Sequence, residues 1–178
     1  MSADKRTRWG WHQLTDNWAQ LLVDDAAIRP GDVVVDIGAG TGALTAPLVR
    51  AGARVIAVEL HPGRVQQLRE RFAHPPVTVV RADAADLRLP RRPFHVVANP
   101  PFGISTALIR RLLSPGSQLV SARIVVPRYA AERWAGHRQY GANRWGRSFT
   151  ATVDRVLPRT AFRPAPPGQV AVLRIERR

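Results

Sequence analysis

The stretch DVVVDIGAGTGALTAPLVRAGARVIAVEL, residues 32 to 60, decides the fold. It opens with DVVVDIG (32 to 38), a short β-branched run that is apolar on both faces, as a strand buried in the middle of a parallel sheet must be. Three glycines, Gly38, Gly40 and Gly42, follow in G-x-G-x-G spacing. Next come GALTAPLVRAG (42 to 52), a helical stretch with a glycine stop, and RVIAVEL (54 to 60), a second apolar run. A strand, a tight turn, a helix and a strand make a βαβ unit, and the connection forces the two strands to be parallel.

The same pattern continues on the carboxyl side. VTVVRAD (77 to 83) and FHVVANP (94 to 100) read as two more strands, and PGRVQQLRERF (62 to 72) as a helix that Pro62 can start. STALIRRLL (105 to 113) reads as a helix capped by Ser105, and SARIVVP (121 to 127) as a fifth strand. TATVDRVL (150 to 157) and GQVAVLRIER (168 to 177) look like a closing antiparallel pair. The expected fold class is therefore α/β, a doubly wound and mostly parallel sheet with an antiparallel C-terminal strand. No repeat or low-complexity tract marks a linker, and 178 residues suit one domain.

Composition narrows the function. There is no cysteine, which excludes disulfides and thiolate chemistry, and five scattered histidines offer no zinc spacing, so no metal is expected. No run approaches the roughly 18 apolar residues of a membrane span, and the start, MSADKRTRWGWHQL, lacks the apolar core of a signal peptide. A cytoplasmic protein with no membrane partner is the expectation. The formal charge is +14, unevenly placed: residues 1 to 83 carry ten Lys or Arg against nine acids, and residues 84 to 178 carry seventeen against four. All but one of the 27 cations are arginine, which suits bidentate phosphate contacts, although a GC-rich genome produces the same bias.

The glycines let the backbone turn tightly and approach a ligand. Glu59, at the tip of the second strand, is placed to hydrogen-bond both hydroxyls of a ribose. Asp83, ending the third strand, is either a buried acceptor for an adenine amino group or a helix cap. A dinucleotide dehydrogenase would share these features, but it needs an acid-base side chain beside the cofactor. The fourth strand ends instead in Asn99-Pro100-Pro101-Phe102. The Asn99 side-chain oxygen and the Pro100 carbonyl can accept both hydrogens of an exocyclic amine, while Phe102 stacks on its ring. Two rigid acceptors can draw a delocalised adenine nitrogen towards tetrahedral geometry without a strong base. A base inside a helix is out of reach, so the target must be single-stranded or flipped out.

DIGAGTG, Glu59, Asp83 and NPPFGIST, in this order, resemble the rRNA adenine N6-methyltransferases (rRNA adenine dimethylases), in particular the Erm-type 23S rRNA enzymes of macrolide resistance. LPRTAFRPAPP (157 to 167) is similar to a further segment of that family. The resemblance implies a seven-stranded, Rossmann-like class I methyltransferase with S-adenosyl-L-methionine as cofactor and 23S rRNA as partner, acting as a monomer. It implies cofactor contacts at His12, Asp36, Gly38, Ala39, Gly40, Glu59, Leu60, Asp83, Ala84 and Asn99, catalysis by Asn99, Pro100 and Phe102, and a place for Phe162 near the target base, unless Phe162 is core. The family's Gln-Asn-Phe-Leu segment is replaced here by WGWHQL (9 to 14), which is where His12 falls. The implied layout is a basic, aromatic arm and first helix over residues 1–30 and a catalytic domain over 31–178, without the family's separate C-terminal RNA-binding domain, as in a short mycobacterial or actinobacterial form.

GHRQYGANRWGR (136 to 147) interleaves Arg138, Arg144 and Arg147 with Tyr140 and Trp145, a pattern that suits single-stranded RNA and equally a solvated loop. Three other functions stay open at this point: a 16S rRNA or other adenine methyltransferase, an RNA-binding relative that has lost catalysis, and a protein methyltransferase.

Overall fold

A computed structural model describes residues 11–74, 76–136 and 147–178. Its central sheet has seven strands in the order β4-β3-β2-β5-β6-β9-β7, where β2 is Val33–Ile37, β3 Arg54–Glu59, β4 Val77–Arg81, β5 Phe94–Ala98, β6 Leu119–Pro127, β7 Phe149–Leu157 and β9 Val170–Arg177. The first five of these run parallel: β2 pairs with β3 and β5, β3 with β4, and β5 with β6. The closing strands are antiparallel as expected, and β9 lies between β6 and β7, pairing with both. A short pair, β1 (Gln13–Leu14) with β8 (Phe162–Arg163), ties the start of the described chain to the 158–167 segment.

Alternation along the strands divides the core into two layers. Val34, Val55 and Val97 face α1 (Asp16–Asp25) and α2 (Thr45–Arg50), whereas Val33, Val35 and Ile37 face α4 (Ser105–Leu112) and α5 (Arg128–Ala135). The remaining helix, α3 (Pro62–Arg71), covers Ala57 and Val79 on the α1/α2 side through Leu68 and Phe72. Every residue of β2 is buried, which is why that strand is apolar on both faces apart from Asp36.

Some expectations are corrected at the ends of elements. The helix after the glycines starts at Thr45, because the positive-φ Gly42 and the turn behind it delay helical geometry. Pro62 is the first residue of α3 as expected, with the His61 ring as its cap, accepting from the Arg64 N–H at 3.4 Å. Ser105 does not cap α4: it is the first helical residue, and its buried hydroxyl donates backwards to the Phe102 carbonyl at 2.9 Å. That bond braces a single 3₁₀ turn over Phe102–Ile104, itself closed by the Ile104 N–H to the Pro101 carbonyl and the Ser105 N–H to the Phe102 carbonyl, in the loop that follows β5.

Parallel strands bring their carboxyl ends to one edge. Gly38, Glu59, Asp83 and Asn99 follow or end four neighbouring strands there, and the connection from β2 leads to one face of the sheet while that from β5 leads to the other. Such a reversal opens a crevice, which is where α/β sheets bind ligands.

Candidate functional site

The crevice is a cavity of about 500 Å³, within the usual range for a small-molecule site. Gly38, Glu59, Leu60, Asp83, Ala84, Asn99, Pro100 and Phe102 line it, as do Trp11 and His12 from the amino-terminal segment. Four separate sequence motifs therefore meet at one wall.

Two close approaches hold the glycine loop in place. Gly38 has φ +75°, and a Cβ there would lie 3.1 Å from Pro100 Cα and 3.3 Å from Pro101 Cδ. The first glycine is thus required by the prolines of NPPF as much as by the turn. A Cβ on Gly42, at φ +98°, would come within 2.5 Å of the Phe72 ring, so this third glycine serves packing against α3.

Glu59 is 6% exposed and its carboxylate is already engaged. One oxygen accepts from the Gly40 N–H at 2.8 Å, and the other accepts from the N–H groups of Leu60 and His61, both at 2.9 Å. A carboxylate has about four acceptor positions, so about one remains for a ligand hydroxyl. The sequence expectation of a pair of free acceptors is narrowed to that one, and Glu59 gains a second task, that of clamping the glycine loop.

Asp83 is exposed rather than buried, and one of its oxygens accepts from the Ala85 N–H at 2.9 Å, capping a 3₁₀ turn. It caps and lines the cavity at once. Asp36 is fully buried on the far side of the glycine loop, beside a small void that Trp11, Gly38, Ala39, Gly40 and Asn99 also line. Its Oδ2 accepts from the Thr45 hydroxyl at 2.6 Å, and its Oδ1 has no partner. Burial pushes its pKa up to about 7, the Thr45 bond pulls it down, and the nearby Glu59 charge adds to the rise. An orphaned carboxylate oxygen at the edge of a cavity is a place for a cationic group.

At the end of β5 the Asn99 amide nitrogen donates to the His12 carbonyl at 2.7 Å. That bond orients the side chain and leaves its oxygen as the group available to a ligand. The His12 ring stacks on Phe102, with centroids 5.7 Å apart and planes at 25°, and its Nδ1 lies 3.0 Å from the Pro164 carbonyl oxygen. His12 thus reaches the site through its carbonyl, while its ring packs on the aromatic side chain of the neighbouring loop.

Sequence reasoning missed Trp11 and Arg64. The Trp11 ring lies over Gly40, and the Arg64 guanidinium stands 3.7 Å from its centroid, a cation–π contact. The signal was there in the two tryptophans of WGWH; nothing in the sequence paired Trp11 with Arg64. Phe162 is the reverse case: it is 3% exposed within the α1/α2 core layer, because β8 pairs with β1 and turns its ring inward. The structure thus puts it in the core, the second of its two readings, and from the same segment Pro167 lines the cavity. Arg147 is exposed, while Arg138, Tyr140, Arg144 and Trp145 lie outside the described residues. Among the described residues no group of three or more His, Asp or Glu could hold a metal, and no helix is long and apolar enough to cross a membrane.

Comparison with known proteins adds independent findings. The family model for ribosomal RNA adenine dimethylase matches residues 2–178. An rRNA methyltransferase of Streptomyces thermotolerans is 36% identical over 186 residues, covering 99% of this chain and 60% of that protein. The mycinamicin-resistance protein MyrB of Micromonospora griseorubida is 38% identical over 185 residues, covering 99% of this chain and 59% of the relative. The chain spans about three fifths of the length of these two curated relatives. Among solved structures, the 23S rRNA methyltransferase ErmE superposes with a TM-score of 0.83 at 28% identity, covering 93% of this chain and 69% of that one.

Proposed function

Since this chain belongs to the ribosomal RNA adenine dimethylase family, we propose that it transfers a methyl group from S-adenosyl-L-methionine to the N6 amine of an adenosine in 23S rRNA, the modification that protects a ribosome from macrolides. The observation that carries the reading is the Asn99 side chain, anchored through its nitrogen to the His12 carbonyl so that its oxygen faces a ligand beside Pro100 and Phe102.

The cavity fits the cofactor on its own terms. In the cavity the remaining position on Glu59 suits a ribose hydroxyl, and Leu60, Asp83 and Ala84 offer a half-apolar wall to an adenine. In the adjoining small void behind Gly38 and Asn99 the orphaned Asp36 oxygen suits an ammonium group. When bound, S-adenosyl-L-methionine supplies a methyl on a positively charged sulfur, already activated towards a neutral amine.

The protein's task is then placement. Asn99 Oδ1 and the Pro100 carbonyl accept the two amine hydrogens, which localises the nitrogen lone pair without removing a proton first. Pro100 and Pro101, packed on Gly38, keep these acceptors from relaxing away. Phe102 replaces part of the stacking that the extruded adenine loses. The 23S assignment is favoured by the likeness to ErmE and to a mycinamicin-resistance protein.

The test is direct: incubate the protein with a methyl-labelled cofactor and with purified 16S and 23S rRNA separately, then map the labelled base. Label on one 23S adenosine is the expected result. Label on 16S alone moves the substrate to the small subunit, and label on neither overturns the proposal.

A further inference from the structure

The face of β4 opposite α3 has no helix over it. Between β4 and β5 the chain makes one 3₁₀ turn, Ala84–Asp86, and then a proline-punctuated loop, LRLPRRP, residues 87 to 93. A groove of about 760 Å³ lies between that loop and the strand. Its floor is Ile56, Thr78, Val80 and Ala82, and Leu87 and Leu89 form its lip. Arg88, Arg91 and Arg92 line it together with a single acid, Asp86.

Three features separate this groove from an ordinary surface. Arg88, Arg91 and Arg92 are all exposed, and none makes a side-chain hydrogen bond or ion pair among the described residues. The lip is fixed from behind, since Arg111 Nε on α4 donates to the Leu87 carbonyl at 3.0 Å. The groove also adjoins the cavity: Ala82 lines both, and Asp83 follows it directly. An apolar trough with a rigid wall and three guanidinium groups that make no hydrogen bond or ion pair among the described residues therefore starts beside the Asp83 and Ala84 end of the cavity.

We propose that this groove binds the ribose-phosphate backbone of a single-stranded segment of the RNA substrate, with Arg88, Arg91 and Arg92 as its phosphate contacts. The proposal rests on the RNA-methylation reading. Charge selects the occupant: three arginines against one aspartate favour a polyanion, the planar guanidinium matches phosphate oxygens in pairs, and its faces can stack on unpaired bases. An acidic protein segment would satisfy the charge, but a chain of an RNA-modifying family, with guanidinium groups that can both pair with phosphate oxygens and stack on bases, favours RNA.

The test compares the triple variant R88Q/R91Q/R92Q with R29Q/R54Q/R69Q, which removes the same charge from exposed positions outside the groove. Binding of a fluorescent single-stranded RNA is followed by anisotropy over a salt series, with cofactor affinity and circular dichroism as controls. Each lost phosphate contact lowers the slope of log affinity against log salt by about 0.7, so the groove variant should lose about 2 in slope and roughly ten- to fiftyfold in affinity near 0.15 M salt. Cofactor affinity should stay level, and the control triple should lose much less. Equal losses in both triples, or no loss in the groove variant, would overturn the groove as a specific site while leaving RNA methylation standing. Wild-type protein that neither binds nor methylates RNA would overturn both.

Discussion

Replacing Asp36 by asparagine should stabilise this protein, and the gain should depend on pH in one direction. The carboxyl has no exposed surface, one oxygen is held by Thr45 and the other has no partner. Burial accordingly lifts its pKa from 3.8 to about 7. A rise of about three units corresponds to roughly 4 kcal/mol against the charged form. The folded state keeps the proton at pH values where the unfolded chain has released it. The contribution to stability is therefore fully present below about pH 4 and is lost as pH rises to about 7. Asparagine is neutral throughout and nearly the same shape, so variant minus wild-type stability should be near zero at about pH 4 and approach roughly 4 kcal/mol at about pH 8. Urea unfolding of both proteins across this range, read as a difference, isolates the group from every other titration. Two curves that stay parallel would refute the reasoning. At about pH 8, where the wild-type carboxyl is ionised, the same variant should bind S-adenosyl-L-methionine more weakly by calorimetry, because the orphaned oxygen proposed to hold its ammonium group loses its charge.

Other consequences follow from neighbouring contacts. His95 lies 3.6 Å from Asp32 and 2.8 Å from the Ser121 hydroxyl, and burial lowers its pKa although Asp32 opposes the shift. The unfolded chain thus takes up that proton more readily, so stability falls as pH drops through the ordinary histidine range, and His95→Gln should flatten this acid limb in urea unfolding. Gly38→Ala should cost about 2 to 4 kcal/mol, from the positive φ and from a Cβ that meets the Pro100 backbone, seen as a drop of several degrees or more in Tm. Asn99→Ala should slow single-turnover methyl transfer on the mapped RNA by about a hundredfold or more, whereas His12→Ala, which keeps the carbonyl that Asn99 uses, should slow it less than tenfold. Comparable losses in the two variants would assign the effect to the His12 ring.

Most of the sheet was legible because parallel strands buried on both faces leave short β-branched runs with little else in them. VVVDI and RVIAVE are recognisable for that physical reason, whereas VTVVR, an edge strand with no fully buried residue, is recognisable by its β-branched run alone. What escaped was whatever depends on long-range pairing. Gln13–Leu14 and Phe162–Arg163 are two-residue strands that exist only because they meet each other, and no local pattern announces them. Phe162 shows the same limit: an aromatic in a motif can face a ligand or the core, and the choice is made by the pairing of β1 with β8, almost 150 residues apart in the chain. The exposure of Asp83 follows from a short connection in place of a helix, which the sequence shows only as a proline-rich loop.

The site residues themselves were legible by type but not by how they hold one another. Gly40 donates to Glu59, Gly38 packs on Pro100, and Asn99 donates to His12, so the glycine loop, the tip of β3, the end of β5 and the amino-terminal segment form one connected wall. A residue in such a wall does two jobs, and its substitution should disturb both. Glu59 illustrates the consequence. An alanine there would remove a ribose acceptor and also strand three backbone N–H groups, each costing about 1 to 3 kcal/mol if left buried without a partner. A loss of cofactor affinity in Glu59→Ala therefore cannot be read as the ribose bond alone. Glu59→Gln is the sharper probe, because its side-chain oxygen can keep the bonds to Leu60 and His61 while its NH₂ group faces the Gly40 N–H, donor against donor. If the clamp on the glycine loop matters, Gln should lower Tm as well as affinity; if only the ribose contact matters, affinity alone should fall. The Gly40 bond at 2.8 Å to a buried carboxylate predicts the first outcome.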